Sequence, residues 1–252
     1  MLRLRQIALV AHDRDRVVAD LQEVLGLAIA YHDPAVAMFG LHNAVLPAGH
    51  QFIEVVAPVQ EGTAGGRYLE RRGGDGGYMA IFQCDDHGPL EARLAALGVR
   101  VAFSHDTDHY RIRQLHPRDT GGTFLEIDVQ VGGEALAGPW EPAGPDWHSA
   151  RTPHVLAVSA AELQSDDPAA LAARWAAILD QRVIDERGCL AVHVDNATVR
   201  FVTATDGRGE GLGGIDVRID HPGDALARAA AAGLPVDGNI VLLGGVRMRL
   251  TA

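Results

Sequence analysis

Two short strands, QFIEVV at 51–56 and TFLEID at 123–128, each carry one glutamate among apolar residues, Glu54 in the first and Glu126 in the second. A buried carboxylate without a partner costs several kcal/mol, so Glu54, flanked by Ile53 and Val55, is easiest to explain if its face lines a polar cavity. The two glutamates fall at the same place in a repeat of 72 residues, which suggests one cavity for both. Carboxylates about 4 Å apart repel unless a cation sits between them or one keeps its proton, and the second case yields an acid suited to proton transfer. If the strands turn one face to water instead, both glutamates are ordinary exposed strand residues.

The elements that position them come from the repeat. Residues 6–27, QIALVAHDRDRVVADLQEVLGL, and 78–99, YMAIFQCDDHGPLEARLAALGV, align without a gap as strand, acidic turn, helix and glycine stop. Val17, Val18, Leu21, Val24 and Leu25 give the first helix one apolar face, and Leu90, Leu94 and Leu97 do so in the second. Asp13 and Asp86 are placed as N-caps, and Gly26 and Gly98 where a helix end needs positive φ. AIAYHDP and VAMFGLHNAVL in the first copy, VRVAFSHD and YRIRQLH in the second, supply two further strands each, making the unit βαβββ.

Residues 132–151, GGEALAGPWEPAGPDWHSAR, have the Gly and Pro content of a linker. Beyond them, 152–252 read as a worn copy of 1–131: a third βαβββ module with Pro168 opening its helix, then a fourth that lacks one strand. No apolar run approaches the roughly 18 residues of a membrane span, and the first residues turn charged too early for a signal peptide, so a cytoplasmic protein is expected. Thirty-three acidic against 22 basic residues give a net charge of −11, which argues against nucleic acid and anionic lipid as partners. Cys84 and Cys189 have neither disulfide-framework nor metal-type spacing.

Four βαβββ modules in two pairs, with terminal strands reading x-I-E-V and x-L-E-I, resemble the vicinal oxygen chelate superfamily, which includes glyoxalase I, methylmalonyl-CoA epimerase, extradiol dioxygenases and bleomycin-binding proteins. The resemblance implies an α+β fold of paired modules forming cup-shaped mixed sheets, in two tandem domains. It also implies a metal held by the first and last strands of each module, at positions that map to Gln6, Glu54, Tyr78 and Glu126. Tyr78 departs from the histidine usual there, and as a neutral phenol it is a poor donor, more often an aromatic filler of a half-buried strand than a ligand. Gln6, for its part, can simply hydrogen-bond a neighbouring strand. In the second half the counterparts are His154, Arg200, Arg249 and either Gly213 or Ile215, a set that repels a cation and leaves at most an anion pocket between the arginines.

Gln6, Glu54 and Glu126 are therefore the candidate metal ligands, for Mg²⁺ or Mn²⁺ before Zn²⁺ or Ni²⁺, with no organic cofactor. Glu54, Glu126, Tyr78 and His116 are the candidate catalytic groups. His116, in the HPRDTGG turn ahead of the Glu126 strand, resembles the approach to the final glutamate in epimerase-like members and can act as acid or base, or merely cap its turn. His105, Asp106, Asp108 and His109 are read as turn residues. The expected activity is that of a metal-assisted lyase, isomerase or hydrolase on a small oxygen-rich molecule. The alternatives are a metal-free, drug-sequestering module like the bleomycin-binding members, which the loss of histidine favours, and a regulatory scaffold. Ring-cleaving dioxygenase chemistry is disfavoured, since it needs two histidines where Gln6 and Tyr78 stand. Two internal module pairs remove the need to dimerise, so a monomer or homodimer is expected.

Overall fold

A computed structural model describes residues 1–252. The first module runs β1 (Leu2–Val10), α1 (Arg14–Leu25), β2 (Leu41–Ala48) and β3 (Gln51–Pro58), and helix α2 (Ala64–Arg72) follows it. The second is β4 (Gly76–Cys84), α3 (Gly88–Leu97), β5 (Val101–Asp106), β6 (Tyr110–Leu115) and β7 (Phe124–Gln130). The third is β8 (Val155–Ser165), α4 (Pro168–Leu179), β9 (Val183–Glu186), β10 (Cys189–Val194) and β11 (Ala197–Thr203). The fourth is β12 (Gly211–Ile219), α5 (Pro222–Ala231), β13 (Val236–Asp237), β14 (Ile240–Leu243) and β15 (Val246–Thr251). The fold is α+β with two mixed sheets, ordered β2-β3-β1-β4-β7-β6-β5 and β13-β14-β15-β12-β8-β11-β10-β9. No helix is long and apolar enough to cross a membrane.

Most local expectations hold for the reasons given. Asp13 caps α1 through the Arg16 N–H, the five apolar residues of that helix are buried, and Gly26 and Gly98 take φ of 68° and 63°. Four details differ. The cap of α3 is His87, without a side-chain bond, and not Asp86; Pro89 at the helix start fixes the entry by its own φ. Residues 27–33 form no strand, since only Tyr31 bridges to Val45, and Asp33 with Pro34 starts a 3₁₀ turn over Pro34–Phe39. The fourth module keeps its missing strand as the two-residue β13. Finally, the repeat does not anticipate α2, which Thr63 caps through Gly66 N–H.

The chain divides into two compact units, each joining one module from each half of the sequence. One holds residues 1–5, 79–139 and 160–212, the other 6–78, 140–159 and 213–252. In the first unit α3 packs on α4, with Arg93 donating to Ile178 O and Arg174 to Asp119 O. Trp175 of α4 is fully buried there, edge-on to Phe82 and Phe201 at 6.3 Å each, and its indole N–H donates to Thr120 O at 3.0 Å. The same unit has Arg3 and Arg5, both buried, donating to main-chain carbonyls of residues 133–138. In the second unit α1 packs on α5, and Arg228 donates to Val24 O at 2.8 Å.

Trp175→Ala removes both ring contacts and strands the Thr120 carbonyl, so it is expected to cost about 3–5 kcal/mol of unfolding free energy in a guanidinium titration. A loss under about 1 kcal/mol contradicts this account of the first unit's core.

Candidate functional site

Glu54 sits on β3, where strand alternation sends it to one face and Ile53 and Val55 to the other. Register puts Phe52 opposite Gln6, Glu54 opposite Ala8 and Val45, and Val56 opposite Asn43, so Gln6, Asn43 and Glu54 share a face of the second unit. Glu54 is 5% exposed, and both its oxygens are met: Gln6 Nε2 donates to Oε2 at 2.9 Å and Asn43 Nδ2 to Oε1 at 2.6 Å. Neither amide is free to be read the other way round. Gln6 Oε1 accepts from the Trp140 indole N–H at 2.7 Å, and Asn43 Oδ1 accepts from the Asp33 main-chain N–H at 2.8 Å. Indole and main-chain nitrogens only donate, so both amide oxygens are fixed towards them and both NH₂ groups towards the carboxyl. Burial pushes the Glu54 carboxyl up to about 7, although the hydrogen bonds from Asn43 and Gln6 pull it down.

Glu126 lies in the first unit, buried on β7, and accepts from Gln114 Nε2 at 3.1 Å. Two residues on, and so on the same face, Asp128 is fully buried and accepts from Tyr110 O–H at 2.5 Å. Burial first, and then the charge of Glu126, hold the Asp128 carboxyl well above the usual carboxylate range. Sequence reasoning passed over Asp128, although the alternation of polar residues in LEIDVQ is its signal. It also passed over Asn43 and Trp140. Asn43 has only its place on a neighbouring strand to mark it, and Trp140 lies in the segment read as linker.

Tyr78 does not share the face of Glu126. In the β4–β7 register Met79 stands opposite Phe124, Ile81 opposite Glu126 and Gln83 opposite Asp128, so Met79 holds the place that Gln6 holds opposite Phe52. The ungapped repeat is thus one residue out of step on β4, and a one-residue slip exchanges faces. Tyr78 packs edge-on to Tyr68 at 5.1 Å, and burial raises its hydroxyl pKa. His116 caps a 3₁₀ turn, its Nδ1 accepting from Arg118 N–H at 3.2 Å. Asp106 is paired with Arg113.

The second half solves the same strand positions with ion pairs. Arg200 stands opposite Glu162, with 3.3 Å between charged atoms, and Arg249 opposite Asp216, with 3.5 Å. The register counterparts of Gln6 and Met79 are Ala160, opposite Thr198, and Gly214, opposite Arg247. His154 lies ahead of β8 and pairs with Asp220 at 2.8 Å.

The residues do not fit a hard divalent ion. The one oxygen of Gln6 is turned to Trp140, its nitrogen has no lone pair to give, and Met79 brings a soft thioether. No group of three or more His, Cys, Asp or Glu is placed to hold an ion.

The family model of the glyoxalase-like domain matches residues 7–179. With more than half of its length matched, the chain belongs to the glyoxalase-like domain family, within the vicinal oxygen chelate superfamily. A hypothetical protein from Staphylococcus aureus superposes on 100% of this chain and 99% of its own, with a TM-score of 0.68 at 11% identity. A mutant of 4-hydroxymandelate synthase from Streptomyces coelicolor covers 92% of this chain and 75% of its own, with a TM-score of 0.67 at 15% identity. A Streptomyces coelicolor methylmalonyl-CoA epimerase in complex with 2-nitronate-propionyl-CoA covers 51% of this chain and 96% of its own, with a TM-score of 0.46 at 23% identity. No curated protein matches the chain.

The raised Glu54 value has a consequence for stability. Its folded pKa of about 7 lies above the ordinary 4.5, so the native state holds this proton more tightly than the unfolded chain. That contribution is complete below about 4.5 and is lost as pH rises through about 7. Wild type should therefore lose on the order of 3 kcal/mol more than Glu54→Gln between those limits, measured by urea unfolding at each pH. Parallel curves for the two proteins contradict the assignment. Asn43→Leu, by removing a donor to the carboxylate, should raise the Glu54 midpoint further in a ¹³C NMR titration.

Proposed function

We propose that this protein is a lyase or isomerase that moves a proton on a small oxygen-rich molecule, with Glu54 as the acid–base group. The observation that carries the reading is a buried carboxyl whose two oxygens each accept an N–H from an amide fixed in orientation by a donor-only partner. Such a group keeps one geometry in both protonation states. A carboxyl near 7 also balances the fraction ionised against basicity at neutral pH, the condition for general acid–base catalysis.

In this reading the carboxylate takes a proton from carbon beside a carbonyl, and the C–H electron pair moves into the carbonyl to give an enolate. Each amide nitrogen carries a second N–H beyond the one given to Glu54, a donor suited to charge developing on that oxygen. Return of the proton to carbon completes an isomerisation, and departure of a β-substituent completes a lyase step. His116 and Tyr78 serve the turn and the packing described above, and Glu126 with Asp128 forms a carboxyl pair of the first unit. A second reading, metal-free sequestration, is favoured by the aromatic cover of this face, where Trp147 stands edge-on to Phe52 at 5.0 Å.

The test is incubation with carbonyl compounds bearing an acidic C–H, such as α-hydroxyketones and β-oxo acids, in D₂O with a chelator present. Proton NMR should show exchange at the α carbon for at least one class, and Glu54→Gln should slow it by roughly a hundredfold or more. Saturable binding of such compounds without exchange selects the sequestering protein, and exchange that survives in Glu54→Gln removes Glu54 from the chemistry.

A further inference from the structure

We propose that Trp140 is a positioning residue whose indole N–H locks the Gln6 amide with its nitrogen towards Glu54, and thereby closes that carboxylate to divalent cations. A metal at this carboxylate needs an oxygen from Gln6. Turning the amide to offer one sets Gln6 Oε1 against Glu54 Oε2 and leaves the Gln6 NH₂ facing the indole N–H, two like-against-like contacts in place of bonds of 2.9 and 2.7 Å. The other carboxylate oxygen is taken by Asn43 at 2.6 Å.

Trp140 is held firmly enough to impose this. It is 1% exposed and begins a 3₁₀ turn over Glu141–Ala143 that packs on β2. Gly144, which ends the turn at φ 76°, lies so close beneath the Tyr31 ring that a Cβ there would come within 2.7 Å of it. Trp147 then docks edge-on to Phe52, the cross-strand neighbour of Gln6. Two buried tryptophans, and a glycine whose positive φ and close approach both exclude a side chain, are the marks of a cover fitted to this face.

The inference rests on Glu54 being the working carboxyl, but its test needs no turnover. Binding of Mn²⁺ alone is followed by electron paramagnetic resonance in wild type, Trp140→Phe, Glu54→Gln and the Trp140→Phe/Glu54→Gln double variant. Subtracting the Glu54→Gln signal removes Mn²⁺ held elsewhere on this acidic chain. Wild type should show no Glu54-dependent binding at millimolar Mn²⁺, while Trp140→Phe, free to turn Gln6, should gain it by roughly tenfold or more and lose it in the double variant. Glu54-dependent binding in wild type, or no gain in a folded Trp140→Phe, overturns the proposal. Should Trp140→Phe not fold, Gln6→Leu decides: the Trp140 indole N–H resonance should move and exchange faster than in wild type, and an unmoved resonance overturns the lock. Failure of carbon exchange with these results intact would remove the proposed reaction alone.

Discussion

A carboxyl group set between apolar strand neighbours must either be met by donors or give up its charge, and at Glu54 both happen in part. The two amides supply donors without supplying positive charge, so burial still outweighs them and the acid titrates near neutrality. An arginine in place of either amide would have held it ionised at every working pH. The rest of the arrangement follows from making those amides face one way. The Trp140 indole N–H and the Asp33 main-chain N–H can only donate, and so each decides which end of its amide remains for the carboxyl.

The same strand positions in the second half show the other solution. Arg200 and Arg249 stand where Glu54 and Glu126 stand, and each is answered by a carboxylate directly across the ladder, Glu162 and Asp216. A cross-strand ion pair neutralises itself and asks nothing of a ligand. Glu126 takes a third course, with Asp128 placed two residues along the same strand and Tyr110 donating to it. Like charges so close cannot both ionise cheaply, which together with burial holds the Asp128 carboxyl well above the usual carboxylate range.

The segment between the halves also covers the sheet face that carries Glu54. Its Gly and Pro content reads as a spacer, and such composition does permit tight turns. Those turns are what let Trp140 and Trp147 reach a sheet face within a few residues of each other. A regular helix or strand over the same stretch would send side chains to more than one face.

The sequence by itself determined the α+β class, the βαβββ order of the second and third modules, the helix caps at Asp13, Gly26 and Gly98, and Glu54 and Glu126 as carboxylates set among apolar strand residues. These are local facts of periodicity, and apolar alternation reports them reliably because burial acts residue by residue. Register it could not determine. The repeat is ungapped as letters, yet β4 is one residue out of step with β1 against their partner strands, which exchanges Tyr78 for Met79 on the face of Glu126. Nor could the sequence show that Gln6 gives nitrogen and not oxygen to its neighbour. An amide has a donor end and an acceptor end of equal size, so only a partner fixed in space, here an indole 134 residues away, decides between them.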